Sequence, residues 1–214
     1  MPRDAARDSS VMFREWRADP ANPVPNVKRP DDGEHASTWL VEDQRFLQGR
    51  LDVVSWMSLP LTNDLTIGGD VIAKLFASTS GTDADWVVKL IDVFPDSADV
   101  AASMQGYQVM VNAGIMRGRY WRGFDRATAV PSNCVTPFTI DLHQQLYRFR
   151  KGHRMMVQVQ SSWFPLYDRN PQRFVPNIFD AKPANFIAQQ HRVWHTTQFP
   201  SHVTVSVIPE TLLR

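Results

Sequence analysis

The densest run of side chains able to do chemistry is Ser161-Ser162-Trp163-Phe164-Pro165-Leu166-Tyr167-Asp168-Arg169-Asn170-Pro171. Aromatics interleave there with an acid, a base and an amide, and two prolines stiffen the stretch. Such a loop presents rigid polar groups to a ligand or a neighbouring domain. Alternatively, Asp168, Arg169 and Asn170 hold it closed on itself by charge-assisted hydrogen bonds. Trp163, Tyr167, Asp168, Arg169 and Asn170 are therefore candidates for a pocket wall or domain interface.

Other constellations are weaker. His191 and His195 have the spacing of two metal ligands on one face, but no third ligand stands at a convincing distance and Arg192 disfavours a cation. Asp83 and Asp85, in Gly-Thr-Asp-Ala-Asp, read as a turn with local side-chain to backbone bonds rather than as a calcium site. His153 reads as a turn residue with a buried imidazole bonded to backbone. Cys134, the lone cysteine, rules out an internal disulfide and sits between Pro131 and Pro137 as a passive small residue. A nucleophile elbow G-x-S-x-G is absent, because the only glycines four apart, Gly114 and Gly118, flank Met116. No P-loop or G-x-G-x-x-G loop occurs. No catalytic residue, metal or cofactor is expected.

The elements that must carry these residues follow a period of two. Val71, Ala73 and Leu75 alternate with Ile72, Lys74 and Phe76; Trp86, Val88 and Leu90 alternate with Val87, Lys89 and Ile91; Met155, Val157 and Val159 alternate with Met156, Gln158 and Gln160; Val203, Val205 and Val207 come last. Gly, Pro, Asn or Asp punctuate the runs, which predicts β-strands. Apolar pairs such as Val87/Val88 and Leu90/Ile91 predict a strand buried on both faces. Short helices are predicted only at Ala184 to His191 and, as a helical turn, at Asp141 to Tyr147. Asp19-Pro20-Ala21-Asn22-Pro23-Val24-Pro25 predicts an extended path without sheet pairing. Packed structure is expected to begin near Trp39. The 15 prolines and seven tryptophans suit short strands joined by stiff loops, so the fold class is all-β, a sandwich or jelly roll.

The net charge of +1 gives no reason to expect nucleic acid or an anionic membrane as partner, and Arg117, Arg119 and Arg122 read as a solvated face. No apolar run approaches membrane-spanning length, and no signal-peptide core follows Met1. A soluble chain is expected. Its compartment stays open: cytoplasmic as it stands, periplasmic if relatives are a guide.

Several ordered segments together resemble one family. They are Asp19 to Pro25; Trp39-Leu40-Val41-Glu42-Asp43-Gln44-Arg45-Phe46; Ala77 to Val93; Gly152-His153-Arg154-Met155-Met156-Val157-Gln158-Val159; and Ser162 to Pro171. The chain resembles, from about Trp16 to Pro209, the C-terminal domain of the X-Pro dipeptidyl-peptidase and cocaine esterase group of serine hydrolases. Through Pro176 to Pro183 it is most similar to the α-amino acid ester hydrolases and glutaryl-cephalosporin acylases. The resemblance implies a jelly-roll β-sandwich of the galactose-binding-domain-like kind with short helical insertions. It also implies a partner, the α/β-hydrolase catalytic domain that precedes this one in relatives, holds their whole triad and is missing here. In relatives the loop before the Asp-Gln-Arg motif reaches toward the acyl site, which places the contributing stretch between Asn26 and Trp39 and makes Trp39 a candidate.

The expected organisation is a non-matching arm over 1–15, a Pro-rich lead-in and loop over 16–38, and the jelly roll over 39–214. The arm suggests a start inside a truncated or misread gene, or a cloned fragment. The expected function is an accessory, pocket-shaping domain of a hydrolase that cleaves α-amino acid esters, β-lactam amides or X-Pro dipeptides. The chain alone is expected to be inactive, with an exposed apolar face that favours a homo-oligomer. Two alternatives compete: a free-standing carbohydrate-binding module, which would expose coplanar tryptophans, and an interaction domain for a separate hydrolase chain.

Overall fold

In the computed structural model, which describes residues 12–28, 38–97, 100–209 and 211, alternating sequence folds into ten strands. They are β1 (Phe13–Ala18), β2 (Val53–Met57), β3 (Leu65–Thr79), β4 (Asp85–Val93), β5 (Gln108–Arg117), β6 (Thr136–Phe149), β7 (Arg154–Gln160), β8 (Gln189–Trp194), β9 (His202–Thr204) and β10 (Val207–Ile208). The other elements are short 3₁₀ turns. One antiparallel sheet runs β1-β8-β3-β6, with β9 and β10 also on β3; the second runs β2-β7-β4-β5. Strands β1 to β4 thus pair in turn with β8, β7, β6 and β5. That is one long hairpin rolled into two sheets, a jelly roll.

Side-chain alternation decides which face each residue meets. In β6, Thr136, Phe138, Ile140 and Leu142 point inward and the residues between them are exposed. In β4 all nine residues are buried, because loops cover its outer face while its inner face meets the opposite sheet. Trp86, Phe138, Ile140, Leu142, Phe149 and Val193 belong to the core between the sheets. Each such side chain contributes on the order of 2–3 kcal/mol when removed from water. Gly114 lets β5 approach β6, since a Cβ there would collide with the Asp141 carbonyl.

Four expectations need correction. The packed chain begins at Phe13, not near Trp39: β1 pairs with β8 across its whole length and Trp16 is in the core. Asp141 to Tyr147 is strand rather than helical turn, because β6 pairs along β3; a register shift lies between Asp70 and Ile72. Beside it His143 adopts φ 67° and donates its backbone N–H to Asp141 Oδ1 at 2.7 Å. Ala184 to His191 is no helix: a 3₁₀ turn over Pro183–Asn185 gives way to β8, which buries His191 and Val193 on one face. Finally, Pro25 forms a lone parallel bridge with Phe164, so the lead-in is not wholly unpaired. Residues 1–11 of the expected arm and 29–37 of the expected pocket loop lie outside the described residues.

Candidate functional site

The loop that follows β7 is built on two buried charged sites along β4. At one end of the strand, Asp83 and Asp85 are fully buried. Arg119 Nε donates to Asp83 Oδ2 at 2.8 Å, and Asp83 Oδ1 accepts the backbone N–H groups of Ala84 and Arg119. Arg117 donates to both oxygens of Asp85, at 3.2 and 3.1 Å, and also to the Asp168 carbonyl at 3.0 Å. Asn170 Nδ2 donates to Asp85 Oδ1 at 2.8 Å while its own carbonyl accepts Gln172 N–H at 2.7 Å. Burial pushes the Asp85 carboxyl up to about 6, with Arg117 and the hydrogen bonds pulling the other way and Asp83 adding to the rise. Gly81 completes the lock: the Gln172 carbonyl occupies the space a Cβ would need.

The second site is Lys89. It is completely buried, donates to Gln44 Oε1 at 2.8 Å, and lies 4.9 Å from the centroid of the Trp163 ring. Burial pulls its ammonium down to about 7, only partly opposed by the charge of Glu42. Gln44 is held in turn: its amide donates to the Glu42 carbonyl, and Asp43 caps the 3₁₀ turn Gln44–Leu47 by accepting Arg45 N–H. The Asp43-Gln44-Arg45 motif thereby places a neutral acceptor over a buried cation.

These two sites aim the loop. Trp163 is buried, meets Trp39 edge-on with centroids 5.6 Å apart, and stacks on Tyr167 at 6.0 Å. Phe164 exchanges backbone hydrogen bonds with Val24 and Asn26. Arg169 donates to the Pro20 carbonyl at 3.0 Å and covers the rings of Phe164 and Phe186. The structure therefore brings Trp39, Trp163 and Tyr167 together, sets Arg169 on the lead-in, and sends Asn170 inward to the lock. Asp168 contributes its carbonyl, and its carboxylate is exposed. Phe164, Leu166 and Tyr167 remain 38%, 40% and 40% exposed, with Leu40, Val41 and Ile187 also exposed.

The weaker constellations settle into structure. His153 is buried, but its Nδ1 lies 2.9 Å from Asp92 Oδ1, a carboxylate instead of backbone. Tyr147 donates to the other Asp92 oxygen at 2.8 Å, and burial together with that carboxylate holds its phenol above the usual value. His191 is buried with Nδ1 2.7 Å from Ser161 Oγ, which also accepts the Trp16 indole N–H at 2.8 Å. Burial pushes this imidazole down to about 3. His195 lies against the Trp56 ring, and Cys134 is exposed. No group of three His, Cys, Asp or Glu side chains among the described residues is arranged to hold a metal.

Sequence reading missed Lys89 and Gln44 as a pair, and it misplaced Arg117 and Arg119, which close buried ion pairs rather than form a solvated face. A visible signal existed for the lysine: Val87-Val88-Lys89-Leu90-Ile91 puts one charge in a strand apolar on both faces. The arginine partners carried no such signal, since Arg119 is 36 residues from Asp83.

The sequence model for X-Pro dipeptidyl-peptidase C-terminal non-catalytic domains matches residues 8–204, beginning ahead of the expected Trp16. The chain is 32% identical over 193 residues to the cocaine esterase of Rhodococcus sp. (strain MB1 Bresler), covering 89% of this chain and 31% of the esterase. Among solved structures, a selenomethionine-labelled α-amino acid ester hydrolase is similar with 47% identity and a TM-score of 0.90, covering 94% of this chain and 33% of that one. An aminopeptidase from a marine sediment Thaumarchaeota archaeon is similar at 47% identity and a TM-score of 0.88, covering 92% and 33%. The chain therefore spans about a third of the length of these relatives.

Proposed function

The chain belongs to the family of X-Pro dipeptidyl-peptidase C-terminal non-catalytic domains, and from that premise we propose that it serves as the accessory domain of a serine hydrolase. Its role is to pack against an α/β-hydrolase catalytic domain and supply part of the wall of an acyl pocket. The whole enzyme acts on α-amino acid esters, β-lactam amides or X-Pro dipeptides. Trp39 and Tyr167 form the contact and the buried Trp163 supports them from beneath, while Arg169 and Asn170 hold the loop that carries it and Asp168 lies at its exposed rim.

The observation that carries this reading is the contrast within the loop 163–170. Its base is locked by buried ion pairs, while its tip exposes the apolar side chains of Phe164, Leu166 and Tyr167 side by side. Acyl transfer needs a hydroxyl, a base and a group orienting that base. Here the serine contact belongs to His191 and the carboxylate contact to His153. Ser161 and His191 are moreover sealed in the core. The carbohydrate-binding alternative loses support because all seven tryptophans are buried or half-buried.

Two measurements test the reading. The purified chain should neither turn over p-nitrophenyl acetate or an α-amino acid methyl ester nor take up a fluorophosphonate label. It should associate with the catalytic domain of the similar α-amino acid ester hydrolase prepared separately. Stoichiometric labelling of one serine with steady turnover would overturn the inactive assignment. Failure to associate would overturn the accessory one.

A further inference from the structure

At the end of β4 far from the lock, a cavity of about 420 Å³ opens where β6 turns into β7. The turn is Arg150-Lys151-Gly152-His153, closed by the His153 backbone N–H donating to the Arg150 carbonyl at 3.0 Å, with Gly152 at φ 84°. Both ends of this turn, Arg150 and His153, line the cavity, and Phe94, Ala101 and Met104 give it an apolar side.

Asp92 orients the imidazole. A carboxylate only accepts, so it draws the Nδ1–H, with Nδ1 2.9 Å from Oδ1 and 3.0 Å from Oδ2, while Tyr147 donates to Oδ2 at 2.8 Å. Phe94 lies against the ring, with centroids 4.4 Å apart. His153 is only 6% exposed, yet Nε2, which has no hydrogen-bond partner among the described residues, is not one of the buried atoms sealed from solvent. That edge of the ring therefore opens on the cavity that His153 lines. Arg150 is exposed at the rim and forms no ion pair among the described residues. Burial and the Asp92 contact hold the Tyr147 phenol above its ordinary value, and Arg150 stands close enough for its charge to oppose them. The other cation of the rim, Arg148, donates its Nε–H to Thr66 Oγ1 at 3.3 Å.

We propose that this cavity binds a small carboxylate with an apolar body, of the class of benzoate. One carboxylate oxygen accepts from the Arg150 guanidinium and the other from Nε2–H of His153, both charge-assisted bonds. A carboxylate on each side of the ring favours the imidazolium, which donates from both nitrogens. Asp92 balances that charge, so Arg150 is the cation left for the ligand to neutralise. The apolar body covers Phe94 and Met104. An ammonium is repelled by Arg150, and a neutral amide gains neither charge-assisted bond. The volume falls within the roughly 300–1,000 Å³ of small-molecule pockets. The site shares no residue with the face of Trp39 and Trp163, and its occupancy does not rest on the hydrolase reading.

The test is an NMR titration of the full chain with benzoate, benzamide and benzylamine, following the His153 ring nitrogens and the Met104 methyl. Benzoate should give saturable shifts at both. Benzamide should bind about tenfold more weakly, the value of a charge-assisted hydrogen bond, and benzylamine should not titrate. Arg150→Gln should lower benzoate affinity about tenfold and leave benzamide unchanged, and Arg150→Lys should recover part of the loss. Arg126→Gln removes another exposed arginine, between β5 and β6, and should change nothing. Absence of saturable shifts with benzoate, benzamide or benzylamine matching benzoate, benzoate binding unchanged in Arg150→Gln, or an equal loss in Arg126→Gln would each overturn the assignment. Should Arg150→Gln fold poorly, the three-ligand comparison on the unaltered chain decides the matter.

Discussion

Two buried charged sites lie within a few residues of each other along β4 and solve the same problem in opposite ways. At Asp83 and Asp85 each carboxylate meets an arginine, and the remaining lone pairs take backbone or amide N–H groups. At Lys89 no carboxylate arrives; the ammonium has one amide oxygen and the face of Trp163. At the paired site each carboxylate has an arginine and further donors, although burial still outweighs them at Asp85, and the site is costly to break from one side. The unpaired site leaves desolvation of the cation largely uncompensated, so the protein gives up stability there to hold Gln44 and Trp163 against the strand. Charge pairing thus anchors the base of the loop, and a strained cation sets the position of its aromatic roof.

The comparison is broken most severely by removing one partner of the lock. Arg119→Ala leaves Asp83 buried and unpaired, and is expected to cost about 3–5 kcal/mol. In a thermal melt that is a fall of roughly 10 °C, with a matching loss in urea midpoint. A change within about 1 kcal/mol would show that the pair contributes little and that the two sites do not differ as described.

Lys89→Met is expected to act in the opposite direction and with a pH signature. The folded-state value for Lys89, about 7, lies below its ordinary 10.5. Between those two pH values the unfolded chain holds a proton that the folded chain has released. Stability attributable to this residue therefore rises with pH across the interval, by on the order of 1 kcal/mol per pH unit; it is lost as pH falls from about 10.5 to about 7 and does not change further below that. Below pH 7 Lys89→Met should be more stable than the unaltered chain, by an amount that shrinks as pH rises to 10. Urea unfolding of both chains at pH 6, 7, 8, 9 and 10 measures this. Parallel curves would mean that the ammonium is compensated by a partner and that the contrast with the lock is false.

The smallest effect on stability is expected at the exposed tip. Tyr167→Ala removes a ring already 40% exposed and should change unfolding free energy by no more than about 0.5 kcal/mol. It should nonetheless weaken association with a hydrolase catalytic domain. A loss comparable to that of Arg119→Ala would place Tyr167 in the core rather than on a docking face.

Much of the fold was legible because strand formation is a local matter. The alternation in Val71 to Phe76, in Trp86 to Ile91 and in Met155 to Gln160 recurs as β3, β4 and β7. It failed at β1, where Arg14, Glu15 and Arg17 interrupt the apolar alternation of an edge strand and only Trp16 and Ala18 turn inward. It failed again at Ala184 to His191, where a helix-like composition is overridden by the burial of His191 on β8. At the candidate site the aromatic loop could be singled out by its residue types, but its supports could not. Arg117 and Arg119 look identical to surface arginines until the chain brings Asp83 and Asp85 beneath them.

By itself the sequence determined the all-β class, the doubly buried character of β4 and the presence of a stiff aromatic loop, since these rest on the period and bulk of neighbouring residues. Tertiary structure alone decided which charges are paired, that Trp163 roofs a buried lysine, and that a cavity opens beside His153 and Arg150. Asp85 and Asn170 lie 85 residues apart in the chain, and Trp16 and Ser161 lie 145 apart. Contacts of that range carry no trace in local patterning, because they exist only once the long hairpin has rolled and the two sheets have closed on each other.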